Sequence, residues 1–395
     1  MAQAVTGPPR ILASASPGEV RVALLRGEVL EAAWVERPAR PDGVGDLHRA
    51  RVSALAPAMA GAFLALAGEQ TGFLPESAAG PAGARQPIAR SVQEGLILPV
   101  RVTRAAQGGK GPRVTARLTP EEAALAAAAP PGAPRLLARG PEAALRLARA
   151  FPSAPVLTDG AALATRLRAV LGPDRMTFSP RPVFDDALEA EFEALAGPEA
   201  PLPGGGRILL HPTPALVAID VDAGTAAGSS DPQAQFRLNE VAVAEAARQI
   251  RLRNLAGPIL LDLAGLTPKR REALAPALAQ ALVADPLARL LGLGPLGLFE
   301  ILRSRVHPPL HEVLGWPPSP LTHGLAALRR ALREVAASPG QRLGLRAAPA
   351  VLAALEGLPG AMEEFTAAAG RALVPCPDPR RFPGDEVIEE SADGG

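Results

Sequence analysis

Two aspartates constrain this chain more than any other feature. The stretch PGGGRILLHPTPALVAIDVDAG reads as strand, turn, strand, and its second apolar run closes on Asp220; PILLDL is a short apolar strand that ends near Asp262. Between them, from about Gln233 to Asn254, apolar residues recur at helical spacing, with Phe236, Val243, Ala247 and Ile250 on one face. Gly257 and Pro258 stop that helix. Strand, helix, strand in this order makes the two strands parallel, so both carboxylates emerge at the same edge of one sheet. Open α/β sheets hold their ligands at that edge. Carboxylates on neighbouring strands repel unless a cation sits between them, and a hard divalent ion with oxygen ligands, magnesium foremost, meets the need. Asp222 points the same way as Asp220 in an extended segment and is a candidate third ligand. An aspartate at a strand end also serves as an ordinary cap or loop residue, so spacing alone leaves both readings open.

The text before this segment has a different period. Residues 1–19 carry Pro8, Pro9 and Pro17 and look loose, whereas Val20 to about Leu118 is strand-like, with VRVALLRGEVLEAAWVE split by an Arg-Gly turn. LPVRVTR and PRVTARL flank AAQGGKG: Val100 and Val102 share one face, as do Val114, Ala116 and Leu118, which predicts a half-buried hairpin. From Gly95 to Leu118 the basic residues are Arg101, Arg104, Lys110, Arg113 and Arg117, with no acidic one, so the hairpin is a cationic ribbon. At Thr119 the pattern turns helical, with Pro120 and Glu122 completing a helix-start signature. A reduced α/β unit is expected up to about residue 200. After Asp262, PKRREALAPALAQALVADPLARLL reads as helix, WPPSPLTHG as linker, and 324–337 as an amphipathic helix. A small α/β domain over 338–375 and a fraying proline-rich acidic tail complete the expectation.

Composition narrows the function classes. Lys+Arg number 41 against 40 Asp+Glu, a net charge of +1, which excludes a polycationic chain but leaves local basic faces open. Cys376 is the sole cysteine, so an intrachain disulfide, a multi-cysteine zinc site and an iron–sulfur cluster are impossible within one chain. No apolar run approaches the roughly 20 residues that cross a bilayer. The opening MAQAVTGPPRILASASPGEV has no apolar signal core, so the expected location is the cytoplasm, away from membranes. From Arg237 to Arg271 seven basic residues face three acidic ones, a charge that suits a polyphosphate chain beside carboxylates and a metal.

Three stretches, LPGGGRILLHPTPALVAIDVDAG, AARQIRLRNLAGPILLDLAGLTPKRR and GLFEILRSRVHPPLHEVLG, resemble the ribonuclease E/G family segment by segment and in order. The resemblance is specific over about 203–315 and recognisable over 20–118, where DLHRARVSALAPAMAGAFLALAGEQTGFLP looks like that family's OB-fold RNA-binding domain. It is thin over 119–200 and collinear after 324. It implies a multidomain α+β/α/β chain: an N-terminal segment (1–36) packing with a reduced RNase H-like region (119–200), an OB-fold barrel (37–118), a deoxyribonuclease-I-like catalytic subdomain (201–315), a linker (316–324) and a small C-terminal domain with acidic tail (325–395). It further implies that Asp220 and Asp262 bind Mg2+, with Asp222 assisting catalysis, and that the metal activates water to cut single-stranded RNA to a 5′-phosphate. The alternative within the resemblance is a catalytically impaired RNA-binding paralogue. Phe63 and Phe73 fall on the family's base-stacking positions, in a chain with only 3% aromatics. Stacked bases contribute about 1–3 kcal/mol each, although both rings also suit a plain core. Lys110 and Arg113 adjoin them on the hairpin, and Arg303 and Arg305 match basic positions expected to hold backbone phosphates.

The chain also departs from the family. Asp222 stands where the family has asparagine. WPPSP replaces the two-cysteine zinc linker, so zinc is not expected and any homo-oligomer must form without a zinc link. Residues 119–200 show no counterpart of the arginine–threonine pair that reads a 5′-monophosphate, so no preference for 5′-monophosphorylated RNA is expected. Two further patterns have ordinary readings. Gly292, Gly294 and Gly297 spell GxGxxG, but with Pro295 inside and no βαβ setting they read as a turn. In HPPLHE the paired prolines keep His307 and His311 off a common helical face, so they and Glu312 read as packing or RNA contact rather than metal ligands.

Overall fold

Alternation of small apolar and polar residues closes residues 47–115 into a barrel. The computed structural model describes residues 7–81, 83, 86–132, 134–224, 232–338 and 340–391. They divide into two units, one of residues 42–142 with 305–308, the other containing the rest.

In the first unit, strand Leu47–Ala56 pairs antiparallel with both Gly61–Ala65 and Ile97–Arg104. Thr71–Pro75 joins Gly61–Ala65 on one side and, in parallel, Arg113–Thr115 on the other, which pairs back to Ile97–Arg104. The result is a closed five-stranded, OB-like barrel. Ala50, Val52, Leu64, Leu74, Val100, Val102 and Val114 fill it. The predicted hairpin turns through Gly108 and Gly109, both at positive φ, and Gln107 and Lys110 exchange backbone hydrogen bonds across it. That is the two-residue turn whose twist matches antiparallel strands. The unit runs on from the barrel to Glu142. Strand Arg135–Ala138 adds to the edge of Leu47–Ala56, and helix Pro120–Ala128, opened by the Thr119–Glu122 capping box, sends its C-terminal carbonyls of Ala126 and Ala129 to the Arg49 guanidinium.

The second unit holds three sheets. Its first has the order Met176–Phe178, Val156–Thr158, Pro9–Ser16, Glu19–Arg26, Val29–Glu36. The start of the chain is therefore not loose where it is described: Pro9 sits at the first position of a strand, where a missing N–H is tolerated, and Ile11 and Ala13 are fully buried. The described residues begin at Gly7, so 1–6 lie outside them. The second sheet has the order Glu199–Pro201, Arg207–Pro212, Val217–Asp222, Gly257–Asp262, Phe299–Arg303, Ala288–Leu293. Helices Pro232–Leu252 and Ala275–Leu282 cover one face, burying Val243, Ala247, Ile250 and Leu278 against Ile219, Val221, Ile259, Leu261 and Phe299. The helix expected to run on through PLARLL ends at Leu282; Ala288–Leu293 is a strand paired with Phe299–Arg303, with Gly292 of GxGxxG at an irregularity within it and Gly294 and Gly297 in the turn between the two.

The third sheet (Val374–Pro377, Leu343–Ala347, Val387–Glu390) packs under helix Pro320–Ala337. Ser319 caps that helix, so it begins inside the stretch expected as linker. The tail does not fray at 387–390: it pairs with Leu343–Ala347, and Arg346 grips Glu389 through two hydrogen bonds. Residues 392–395 of the tail lie outside the described residues. No described helix is long and apolar enough to cross a membrane.

Candidate active site

The parallel pairing of Val217–Asp222 with Gly257–Asp262 sets Asp220 directly opposite Asp262. In both strands every second residue is core: Val217, Ile219 and Val221 in one, Ile259 and Leu261 in the other. Period two therefore turns Ala218, Asp220 and Asp222, and Leu260 and Asp262, to the opposite, half-exposed face. Register partners in a parallel pair share a face, and neighbouring strands lie about 4.8 Å apart, so the two carboxylates are side by side. Glu300, opposite Leu260, adds a carboxylate to this face, and its Oε1 fills the space beside Gly294 that a Cβ would need.

The two aspartates differ in their surroundings. Asp262 Oδ1 accepts from Arg271 Nη1 at 2.6 Å. The same guanidinium donates to the carbonyls of Gly297 (2.7 Å), Leu263 (2.7 Å) and Leu266 (3.1 Å). Buried Asn239 holds the loop behind Asp262 by donating to Ala264 O and accepting from Ala264 N. Among the described residues the carboxylate of Asp220 accepts no hydrogen bond and makes no ion pair. Asp222 is already engaged: Oδ1 accepts from the Gly224 N–H at 2.9 Å and Oδ2 from Arg207 Nε at 3.0 Å. The Gly224 amide first, then Arg207, hold its carboxyl below the ordinary carboxylate range. Each Asp222 oxygen thus already accepts one hydrogen bond, unlike those of Asp220.

The donor set is one that a hydrated divalent ion such as magnesium fits. Two hard carboxylates stand at a half-exposed sheet edge, and among the described residues no group of three or more His, Cys, Asp or Glu gathers to hold a metal. An ion that keeps most of its waters and takes one or two carboxylates matches this donor set.

The basic residues counted along 237–271 do not all belong to this edge. Arg253 is buried, donating to the carbonyls of Leu195, Gly197, Ala194 and Glu199, and burial pulls it down to about 10. Arg248 donates to Leu30 O and pairs with Glu191 and Glu245. Arg271 is the one that reaches the aspartates, and it was legible only as part of a charge count. Arg303 also departs from expectation. It is 6% exposed, with Nε on Asp285 at 2.6 Å and Nη1 on Asn254 Oδ1 and Leu255 O. It is a core ion pair and is not available to a phosphate.

In the barrel unit, Phe63 and Phe73 are cross-strand partners with ring centroids 5.5 Å apart in an edge arrangement. Both are half-buried, outside the barrel's buried core. The Phe73 ring lies against Gly61, where a Cβ would come within 2.3 Å of its Cζ, so glycine there leaves the ring its room. Phe73, Met59, Arg113 and Arg117 border an open cavity of about 550 Å³. Lys110 and Arg113 are exposed. Arg113 pairs across strands with Arg104, and the Ala105 N–H donates to Val306 O, which brings Arg305 beside them. Burial first, then Arg305 and Arg113, lower the Arg104 pKa. His307 Nδ1 lies 2.6 Å from Asp42 Oδ2 and is buried, while the His311 ring meets Trp316 edge-on.

Comparison with known proteins bears on this geometry. Residues 169–306, which include both aspartates, match the model of the Ribonuclease E/G family. Ribonuclease G of Salmonella typhimurium is 25% identical over an alignment covering 88% of this chain and 92% of its own length. Ribonuclease E of Escherichia coli K12 is 34% identical over 128 residues, 32% of this chain and only 12% of that protein. The chloroplastic ribonuclease E/G-like protein of Arabidopsis thaliana is 33% identical over 144 residues, 35% of this chain and 14% of that protein.

Proposed function

Because this chain belongs to the ribonuclease E/G family, we propose that it is a metal-dependent endoribonuclease acting on single-stranded RNA. The observation that carries the reading is the register pairing of Asp220 with Asp262 on one half-exposed sheet face. These two residues would hold a magnesium ion, which would polarise the scissile phosphate and make a nearby water a better nucleophile. Arg271 neutralises one of the two carboxylates and fixes its direction. Asp222 contributes through its pairing with Arg207, which offsets the charge it adds where the family has asparagine.

The OB-like barrel supplies the RNA grip in this reading. Phe63 and Phe73 stack on unpaired bases, while Lys110, Arg113 and Arg305 take backbone phosphates. The sheet built from 9–36, 156–158 and 176–178 stands for the reduced RNase H-like region, and the sheet carrying the aspartates for the deoxyribonuclease-I-like subdomain. Any homo-oligomer forms without a zinc link, since Cys376 is the only cysteine.

The deciding experiment incubates purified protein with a labelled single-stranded RNA, with and without magnesium, beside Asp262→Asn. Magnesium-dependent cleavage that the variant loses supports the enzyme, and the variant also controls for a contaminating nuclease. Tight RNA binding without cleavage at any magnesium concentration would establish the impaired paralogue instead. Running 5′-hydroxyl and 5′-phosphate substrates side by side tests the missing monophosphate pocket: comparable rates are expected.

A further inference from the structure

We infer that Arg271 is a positioning residue that sets both the orientation of Asp262 and the strength with which the aspartate pair takes a divalent ion. The inference rests on the proposed reading of Asp220 and Asp262 as a metal site.

Arg271 spends four of its five N–H donors here: one on Asp262 Oδ1 and three on the carbonyls of Leu263, Leu266 and Gly297. A guanidinium is a rigid fork, so three backbone anchors leave its fourth bond a single direction. Asp262 is thereby turned with Oδ1 toward Arg271, and Oδ2 remains for a ligand. The loop behind Asp262 does not depend on Arg271 alone, because Asn239 pins Ala264 from the other side with two hydrogen bonds. The arginine is 17% exposed at its side chain and Asp262 47% exposed, so the pair sits at the mouth of the site rather than in the core.

Charge makes the second half of the inference. Counted over Asp220, Asp262 and Arg271 alone, with Glu300 the same in every variant, two carboxylates and one guanidinium leave a single net negative charge for a divalent ion. Replacing the guanidinium by a neutral group leaves two. A positive charge lost a few ångströms from a doubly charged ion in a partly solvated site is expected to tighten binding about tenfold. The same change frees the carboxylate to rotate, so cleavage slows while affinity rises. Weak binding with correct orientation is the state Arg271 favours.

The test uses the full chain and Mn2+ as the probe, titrated by electron paramagnetic resonance of the free ion, with RNA cleavage measured in parallel. Arg271→Gln is expected to bind Mn2+ about tenfold more tightly and to cleave more slowly at saturating metal. Arg271→Lys keeps the charge but not the fork, so it is expected to bind Mn2+ as the parent does and still cleave more slowly. Equal or weaker Mn2+ binding by a folded Arg271→Gln overturns the inference. If that variant does not fold, undiminished cleavage by Arg271→Lys does so. Asp220→Asn and Asp262→Asn separate the underlying reading: if neither lowers Mn2+ affinity, the metal site itself is refuted, whatever the Arg271 variants do.

Discussion

Asp220 and Asp262 are register partners on adjacent parallel strands, yet Arg271 attends only Asp262. This asymmetry gives the two positions different expected phenotypes in stability and the same one in activity. Asp220→Asn removes one of two like charges held side by side and is expected to leave the melting temperature unchanged or slightly raised. Asp262→Asn deprives a partly buried guanidinium of its carboxylate and is expected to lower it. Both are expected to reduce magnesium-dependent cleavage by at least about a hundredfold, the usual scale for removing a group that stabilises transition-state charge. Thermal melts beside a cleavage time course check both halves, and a Asp220→Asn protein with parental cleavage would remove that residue from the site.

Asp222 differs from the pair in its hydrogen bonds. Its two oxygens are engaged by Gly224 and Arg207, and the ion pair is solvent-exposed. Exposed pairs contribute little, so Asp222→Asn is expected to keep cleavage within about threefold of the parent and to leave the magnesium requirement unchanged. Arg207→Ala, by contrast, frees the carboxylate beside the site and is expected to lower the magnesium concentration at half-maximal rate. Magnesium titrations of the two variants decide the matter; an Asp222→Asn defect as deep as that of Asp262→Asn would restore it as a ligand.

Which parts of this site were legible in the text follows from the same pleat. Asp220 and Asp262 could be found because strand alternation and a single helical crossover are local patterns that fix direction and face. Arg207 opposite Asp222 depends on hairpin register, which the PTPA turn sets and charge counting ignores. Arg303 was misread although the signal was present: Phe299, Ile301 and Arg303 alternate on the core face, so period two already pointed its side chain inward. Arg271 was lost for a different reason. It lies nine residues beyond Asp262, and only the fold of the intervening loop brings it back. The early strand at Pro9–Ser16 and the late one at Val387–Glu390 were hidden because their partners, Glu19–Arg26 and Leu343–Ala347, had to be known before proline-rich text could be read as strand.

Arg303 yields a stability prediction that also tests its removal from the RNA surface. Its guanidinium and the Asp285 carboxylate are both almost wholly buried. Arg303→Met leaves Asp285 without its cation, and breaking a buried pair from one side costs about 3–5 kcal/mol. Urea denaturation is expected to show that loss. At temperatures where the variant remains folded, its affinity for single-stranded RNA is expected to equal the parent's; a selective fall in affinity without loss of stability would return Arg303 to the phosphate contacts.

The aromatic pair on the barrel predicts binding rather than stability. Phe63 and Phe73 are half-buried and lie outside the barrel core, so replacing either ring exposes little new apolar surface. Phe63→Ala and Phe73→Ala are each expected to weaken single-stranded RNA binding by about 1–3 kcal/mol, roughly 5- to 150-fold in Kd. Fluorescence anisotropy with a short unstructured RNA reads this directly. Parental affinity in both variants, with the barrel intact by circular dichroism, would assign the rings to packing.

His48 gives the barrel a pH dependence whose sign can be worked out. The residue is 5% exposed, and burial, opposed by nearby Asp46 and reinforced by Arg139, holds its pKa below the ordinary 6.5. In the unfolded chain the ring takes a proton as pH falls through 6.5, while in the folded barrel it stays neutral until a lower pH. The unfolded state then binds more protons, so stability is full above 6.5 and declines as pH drops toward the folded-state value. His48→Leu removes the titration while preserving an apolar filling. The melting temperature of the parent is therefore expected to fall more than that of His48→Leu between pH 7.5 and pH 5.5. Identical pH dependence in the two proteins would show that the imidazole is protonated equally easily in both states.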